Sequence, residues 1–291
     1  MTAANDQVAN DAQPLRPSPS EVMTVAASRI LEDHKVIFAG IGQPLVAAAL
    51  ARRRQAPNLT VVLEGGMIGI DLMPGELPDS TNEMRAAVGA EMVTSATDIF
   101  LLAQRGFFDY GFLGAAQVDM YGNVNTSVIG HHDRPSTRLP GPGGGNDIAS
   151  LCNQTVIVTN HELRRFVEKV DFVTSPGYLT GGDSRRSAGL RHGGPSWVVT
   201  DLACMDFDEE TRRMRVRHLQ PGVTLAQVRA ATGFELLVAD EVTTLEPVTE
   251  GELSVLRRLT GDLVADPRPD VPTKNVADPR PDVSTKNGAL R

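Results

Sequence analysis

The first residue in the chain placed to do chemistry is Glu64. It follows the apolar run Val61-Val62-Leu63 and is followed at once by Gly65 and Gly66. A structural glutamate belongs on a solvated helix face. A carboxylate where a core strand meets a glycine turn stands where open α/β sheets gather their ligands. The second feature is the stretch RLPGPGGGNDIASL, Arg138 to Leu151, with Gly141, Gly143, Gly144 and Gly145 around Pro142. Asn146 or Asp147 is expected to cap a helix beginning at Ile148, which puts the glycines just upstream of a helix N-terminus. Free amides there suit an anion or an oxyanion. On spacing alone this reading and that of a flexible surface loop stand level. The glycines are too crowded for a dinucleotide fingerprint, and no acidic residue follows at the required distance.

Other polar residues carry less. Gln117 and Asn125 flank a strand and turn, where side-chain amides ordinarily satisfy backbone groups. His131, His132 and Asp133 lack a metal-ligand spacing, so no metal site is expected. Cys152 and Cys204 lie in apolar contexts and read as packing residues. Arg185, Arg186 and Arg191 form a basic cluster in a glycine-rich loop. Such loops are usually just solvated, but in an acidic body this one is a candidate contact for phosphates. The histidines and cysteines assemble no Ser/His/Asp or Cys/His set.

The elements needed to position Glu64 are legible around it. KVIFAGIG reads as a strand, QPLVAAALARRRQ as a helix with Pro44 in its first turn, and LTVVLEGG as the next strand. Strand, helix, strand with short connections implies a right-handed crossover and parallel pairing. The alternation continues. TDIFLLAQRG reads as a helix from a Thr/Asp cap, YGFLGAAQVD as a strand and TVIVTN as another. ELRRFVEKV is expected to be helical, DFVTSPG and SWVVTDLACMDFD extended, and TLAQVRAATG a helix closed by Gly233. The run from Val198 to Leu219 reads as an antiparallel hairpin about the polar turn DEETRR. The fold class is therefore α/β: an open, largely parallel sheet with flanking helices.

The 291 residues, with 41% hydrophobic and 22% charged, describe an ordinary globular chain, and aromatics at 4% leave the core to Val, Leu, Ile and Ala. A net charge of -8 without a basic stripe excludes nucleic acid as the expected partner. No stretch is apolar for long enough to span a membrane, and the N-terminus lacks a secretory pattern. With two distant cysteines, the expected compartment is the cytoplasm. Residues 1–20 read as a flexible arm and 21–262 as one domain. Residues 263–291 read as a disordered tail, in which VADPRPDVPTKN (Val264 to Asn275) recurs as VADPRPDVSTKN (Val276 to Asn287). A recent duplication explains the repeat, and the tail is expected to be dispensable.

Six segments, LEGGMIG, GAAQVDMYGNVNTSVIG, TRLPGPGGGNDIA, VTSPG, VVTDLACMDFD and LQPGVTLAQVRAATGF, occur in the order and rough spacing found in β subunits of family I CoA-transferases, the glutaconate branch in particular. The resemblance runs from about Val36 to Leu256. It implies that Glu64 is the nucleophile, forming a glutamyl-CoA thioester, that Gly65 and Gly66 let substrate approach it, and that Gly143 and Gly144 supply oxyanion amides. It implies sites for coenzyme A as the acyl-CoA substrate, with Asn125 and Gln117 near the active site and no permanently bound cofactor; Gly145 and, from the basic cluster, Arg185 and Arg186 are further candidate contacts. It also implies a homologous α subunit that pairs with this chain in a hetero-oligomer. Two other readings stay open: an acyl-CoA decarboxylase or carbon–carbon hydrolase of the same fold, which the retained glutamate disfavours, and a non-catalytic CoA-binding subunit.

Overall fold

The computed structural model describes residues 16–73 and 77–261. Most of the expected N-terminal arm and the duplicated tail lie outside the described residues. The first helix, α1 (Pro19–Ile30), begins inside the span assigned to the arm, because Ser18 and Glu21 form a reciprocal capping box with Pro19 at the first turn.

The chain then runs β1 (Val36–Phe38), α2 (Gln43–Arg52), β2 (Thr60–Val62), β3 (Met67–Ile68), β4 (Met92–Val93), α3 (Ala96–Gln104) and β5 (Tyr110–Gly114). Two small hairpins follow, β6 (Gln117–Val118) with β7 (Val124–Asn125), and β8 (Val128–His131) with β9 (Arg134–Arg138). After them come α4 (Gly145–Leu151), β10 (Gln154–Val158), α5 (Ser184–Ser187), β11 (Pro195–Val199), β12 (Ala203–Phe207), β13 (Met214–Leu219), α6 (Leu225–Ala230), β14 (Leu237–Thr244) and α7 (Glu250–Thr260).

Ten strands form one sheet in the order β14-β13-β12-β11-β10-β5-β1-β2-β3-β4. The five central strands, β11 to β2 in that order, are mutually parallel, and antiparallel pairs join them on both sides. This is the expected α/β sheet. The order runs outward from β1 in both directions, through β2 on one side and β5 on the other, so the crevice at the carboxyl ends of β1 and β5 is the topological switch point.

Alternation along β1, β2 and β5 faces two of the three buried clusters. Ile37, Val61 and Leu63 bury against α1, α2 and α7, while Phe38, Val62 and Leu113 bury against α3 and α4. Ion pairs between the first and last helices, Arg29–Glu252 at 2.7 Å and Arg257–Glu21 at 2.6 Å, close the first layer. The hairpin of β12 and β13 forms as its pattern predicts.

Four local expectations are corrected. ELRRFVEKV is not a helix. Arg165 O accepts from Val118 N, Val118 O from Val167 N, and Phe166 O from Gly233 N, so these backbone groups pair with other segments instead of with each other. DFVTSPG makes no strand; it meets β7 through the single Val124–Ser175 bridge and through Thr174, which donates to Val124 O and Asn125 Oδ1. α3 is capped by Ser95 in a box with Asp98, not by Thr97. α6 ends before Ala231, and Gly233 is needed for packing: a Cβ there would lie 2.6 Å from Phe166 O.

Candidate active site

Glu64 does not simply end a strand; it forms part of a hairpin turn. β2 stops at Val62, Gly66 N donates to Leu63 O (3.1 Å) and Leu63 N to Met67 O (2.9 Å), and the chain doubles back as β3. The carboxylate sits in the tight turn between them. The two glycines that follow admit other parts of this chain rather than a ligand. A Cβ on Gly65 would run into Thr81 O, and one on Gly66 into Thr94 O. The same contacts bind the turn in place: Gly65 N donates to Thr81 O (3.2 Å) and Thr94 N to Gly66 O (2.8 Å). Thr81 and Thr94 have no motif of their own, and only the fold brings them to Glu64.

The glycine loop closes on this turn from the other side. An ideal Cβ on Gly144 would lie 3.0 Å from Glu64 Oε2 and 3.1 Å from its Cδ, so the carboxylate already fills the space a side chain would need. Gly144 has an ordinary φ of -78° and forms the N-cap of α4. The expected caps Asn146 and Asp147 lie inside the helix instead. Gly141 (φ 93°) and Gly143 (φ 49°) take the left-handed conformations the loop demands. The amide of Gly141 donates to Thr126 O and that of Gly145 to Pro142 O. Those of Gly143 and Gly144 have no acceptor among the described residues, and the Glu64 carboxylate makes no hydrogen bond or ion pair there. A carboxylate without internal partners thus lies against Gly144, in a loop with two amides that have no internal acceptor.

Behind the loop lies a polar network with every member partnered. Asn125, fully buried, donates to Gln117 Oε1 (2.7 Å) and Val128 O (2.6 Å), and its Oδ1 accepts from Ser127 N and Thr174 Oγ1. Gln117 donates to Asp171 Oδ2 at 2.9 Å. Thr126 Oγ1 donates to Gly141 O, and Asn146 Nδ2 to Thr174 O, so the network grips both ends of the loop. Gly145 packs against Ser175 Oγ and Leu113. Asn125, Gln117 and Gly145 therefore support the site; their polar groups are already occupied within the chain.

The basic cluster divides. Arg185 is 4% exposed, and its guanidinium donates to the carbonyls of His192, Pro176, Gly177 and Ala149. Burial lowers its pKa from the usual arginine value. It clamps α4 to the Pro176–Gly177 turn and is withdrawn as a phosphate contact. Arg186 and Arg191 remain exposed. His131 and His132 lie exposed on the β8–β9 hairpin, and no group that could hold a metal ion occurs among the described residues. Cys152 and Cys204 are buried free thiols pushed up to about 12 by desolvation. No described helix is long and apolar enough to cross a membrane.

Comparison with known proteins gives this geometry a context. The coenzyme A transferase family model matches residues 20–231. The chain is 42% identical over 243 residues to the B subunit of 3-oxoadipate CoA-transferase of Pseudomonas knackmussii, covering 83% of this chain and 93% of that protein. It is 36% identical over 228 residues to the B subunit of glutaconate CoA-transferase of Acidaminococcus fermentans, covering 76% and 85%. The crystal structure of glutaconate coenzyme A-transferase from Acidaminococcus fermentans superposes with a TM-score of 0.77 at 32% identity, over 83% of this chain and 94% of that one. The chain belongs to the coenzyme A transferase family, as a subunit of the B type.

Proposed function

We propose that this chain carries the nucleophile of a heteromeric CoA-transferase, and that Glu64 forms a glutamyl-CoA thioester during turnover. The Glu64 carboxylate attacks the thioester carbonyl of an acyl-CoA. The C–S bond breaks, giving an acyl-glutamyl anhydride and CoA thiolate. The thiolate then attacks the glutamyl carbonyl, releases the first acid and leaves CoA on Glu64. An incoming carboxylate attacks that thioester, and the same two steps run in reverse. Each tetrahedral intermediate carries an oxyanion, for which the Gly143 and Gly144 amides are the donors. One such donor is typically worth about 3–4 kcal/mol.

The observation that carries this reading is the contact of an unpartnered Glu64 carboxylate with Gly144, beside two amides with no internal acceptor. A decarboxylase or hydrolase has no use for a covalent carboxylate, and a mere binding subunit has none for a preorganised one. The two relatives are named for 3-oxoadipate and glutaconate, both dicarboxylic acids. We take the acid exchanged here to be a short dicarboxylic acid and the partner to be a homologous α subunit. An anhydride needs protection from water, and Glu64 is only half-buried in this chain alone, which supports a second subunit closing over it. The two buried thiols accord with a reducing cytoplasm.

The test is to incubate the complex with acyl-CoA and hydroxylamine and map the modified peptide by mass. A hydroxamate on Glu64 is expected. Its absence during active turnover, or its appearance on another carboxylate, refutes the assignment.

A further inference from the structure

Glycines in this fold have three kinds of reason. Some take a left-handed φ, such as Gly42 and Gly122. Others sit where a Cβ would strike the chain itself: Gly111 against Ile148 and Cys152, Gly177 against Gly122, and Gly144 against Glu64. Among the described glycines only Gly40 and Gly114 have neither reason. Each has an ordinary φ, and nothing lies within 4 Å of the Cβ it lacks.

These two are not scattered. Gly114 ends β5, and Gly40 lies two residues beyond β1, its hydrogen-bonded neighbour in the sheet. Their empty positions open on opposite faces: Gly114 has the parity of Phe112, which buries against α1, α2 and α7, so only Gly40 can open on the side of Glu64. Phe38 pairs with Val62 in β2 and with Gly111 in β5, so continuing both registers by two residues sets Gly40 level with Glu64 and with Leu113. Phe38, Val62 and Leu113 share the face covered by α3 and α4, and Gly40 has the same parity as Phe38. The missing side chain of Gly40 therefore opens toward Glu64 and the start of α4. A glycine that neither conformation nor internal packing requires leaves room for something that is not part of this chain.

We infer that Gly40 holds open the passage by which the extended thioester chain of an acyl-CoA reaches Glu64, and that it sets how much bulk is accepted beside the reacting carbonyl. This rests on the CoA-transferase reading above. A linear chain bearing a thioester needs a narrow slot along backbone, and a methyl group placed at Gly40 would stand beside the reacting carbon.

The test uses the complex with its partner subunit and the variants Gly40→Ala and Gly40→Val, with Gly114→Ala, whose methyl group projects from the opposite face, as the control expected to keep wild-type kcat/KM. Melting temperature and the mass of the complex should be unchanged, because the added atoms meet nothing in the chain. The kcat/KM for acyl-CoA should fall by about tenfold for Gly40→Ala and further for Gly40→Val, the scale of one methyl group in a fitted pocket. The loss should be greater for acyl groups branched next to the carbonyl than for linear ones. Wild-type kcat/KM and selectivity in both Gly40 variants overturn the inference. So does dissociation of the complex, which would assign Gly40 to subunit packing. Wild-type enzyme run in parallel with hydroxylamine separates this from failure of the parent reading: a Glu64 hydroxamate with indifferent Gly40 variants sinks only the passage.

Discussion

Glu64 and Asn125 are both polar side chains beside the same glycine loop, and the fold treats them in opposite ways. Asn125 is fully buried, and its amide and carbonyl are both occupied by neighbours held in place by packing. Glu64 is half-buried, with no partner at all among the described residues, and lies against the only kind of residue that leaves it room. Residue type and location would rank the two together, but their partners separate them. A buried polar group with its bonds complete is part of the scaffold. A half-buried carboxylate without internal partners, beside a loop with two amides equally without them, is left open to another molecule. Substitutions should divide along this line.

The largest effect is expected at Glu64. Glu64→Gln and Glu64→Ala should lower turnover by at least about 10³-fold, since no other group can take the covalent role. Stability should stay within about 0.5 kcal/mol, because no internal bond is lost. Steady-state kinetics beside thermal melting checks both halves, and a large stability loss would move Glu64 into the scaffold class. Next is Gly144→Ala. Its methyl group must displace the carboxylate from 3.0 Å. A shift of that order costs roughly 10²-fold in kcat, with hydroxamate formation slowed in proportion. An unchanged kcat would show that the contact is not the reacting geometry.

On the other side of the comparison, Asn125→Ala should leave kcat per folded molecule close to wild type. It strands the Ser127 amide, the Val128 carbonyl and Gln117, a loss of about 4 kcal/mol. Urea unfolding with active-site titration separates the two effects. His161 belongs to the same class. It is buried, lies between Thr200 Oγ1 and Thr232 Oγ1, and stacks at 4.0 Å on Phe166. Desolvation lowers its pKa to about 4. In the unfolded chain histidine takes up its proton near 6.5, so between these values the unfolded state binds more protons than the native one. Stability should therefore be full above about pH 6.5 and decline as pH falls toward 4, by at most about 3 kcal/mol. Melting curves across that window should flatten in His161→Gln. The smallest effect is expected at exposed Arg186: Arg186→Ala should raise KM for acyl-CoA a few-fold, on the order of 0.5 kcal/mol, and leave stability alone. An unchanged KM removes it from the site.

Much of this site was legible in the sequence because it is built from local signals. An apolar run ending in Glu-Gly-Gly, and four glycines ahead of a helix, each announce a break in regular structure that packing alone does not require. The central strands β1, β2, β5, β10 and β11, the β12–β13 hairpin and helices α2, α3, α4 and α6 were legible for the same reason, their periodicity being local; the short strands β3, β4, β8 and β9, the edge strand β14 and helices α1, α5 and α7 were not read. What could not be read is what long-range contact decides. The segment ELRRFVEKV has helical spacing, yet its backbone is claimed by β6 and by Gly233. Arg185 looks solvated in a run of glycines, and only tertiary packing reveals the four carbonyls around it. Gly65 and Gly66 look like room for substrate; instead they make way for Thr81 and Thr94, whose proximity no spacing encodes.

The ion pairs between α1 and α7 have a consequence for connectivity. Glu21, near the start of α1, meets Arg257, near the end of α7, and Gln43 at the mouth of α2 donates to Ser20. The first and last described helices therefore leave the body at one place, beside the loop that follows β1. A short linker joining the end of α7 to the start of α1 should be accommodated, and the chain could then be opened elsewhere, at the exposed turn between β12 and β13. A permuted chain of this kind would keep every strand pairing and both helical layers. The order in which Glu64 and the glycine loop occur along the chain would be unaltered, and so would the site.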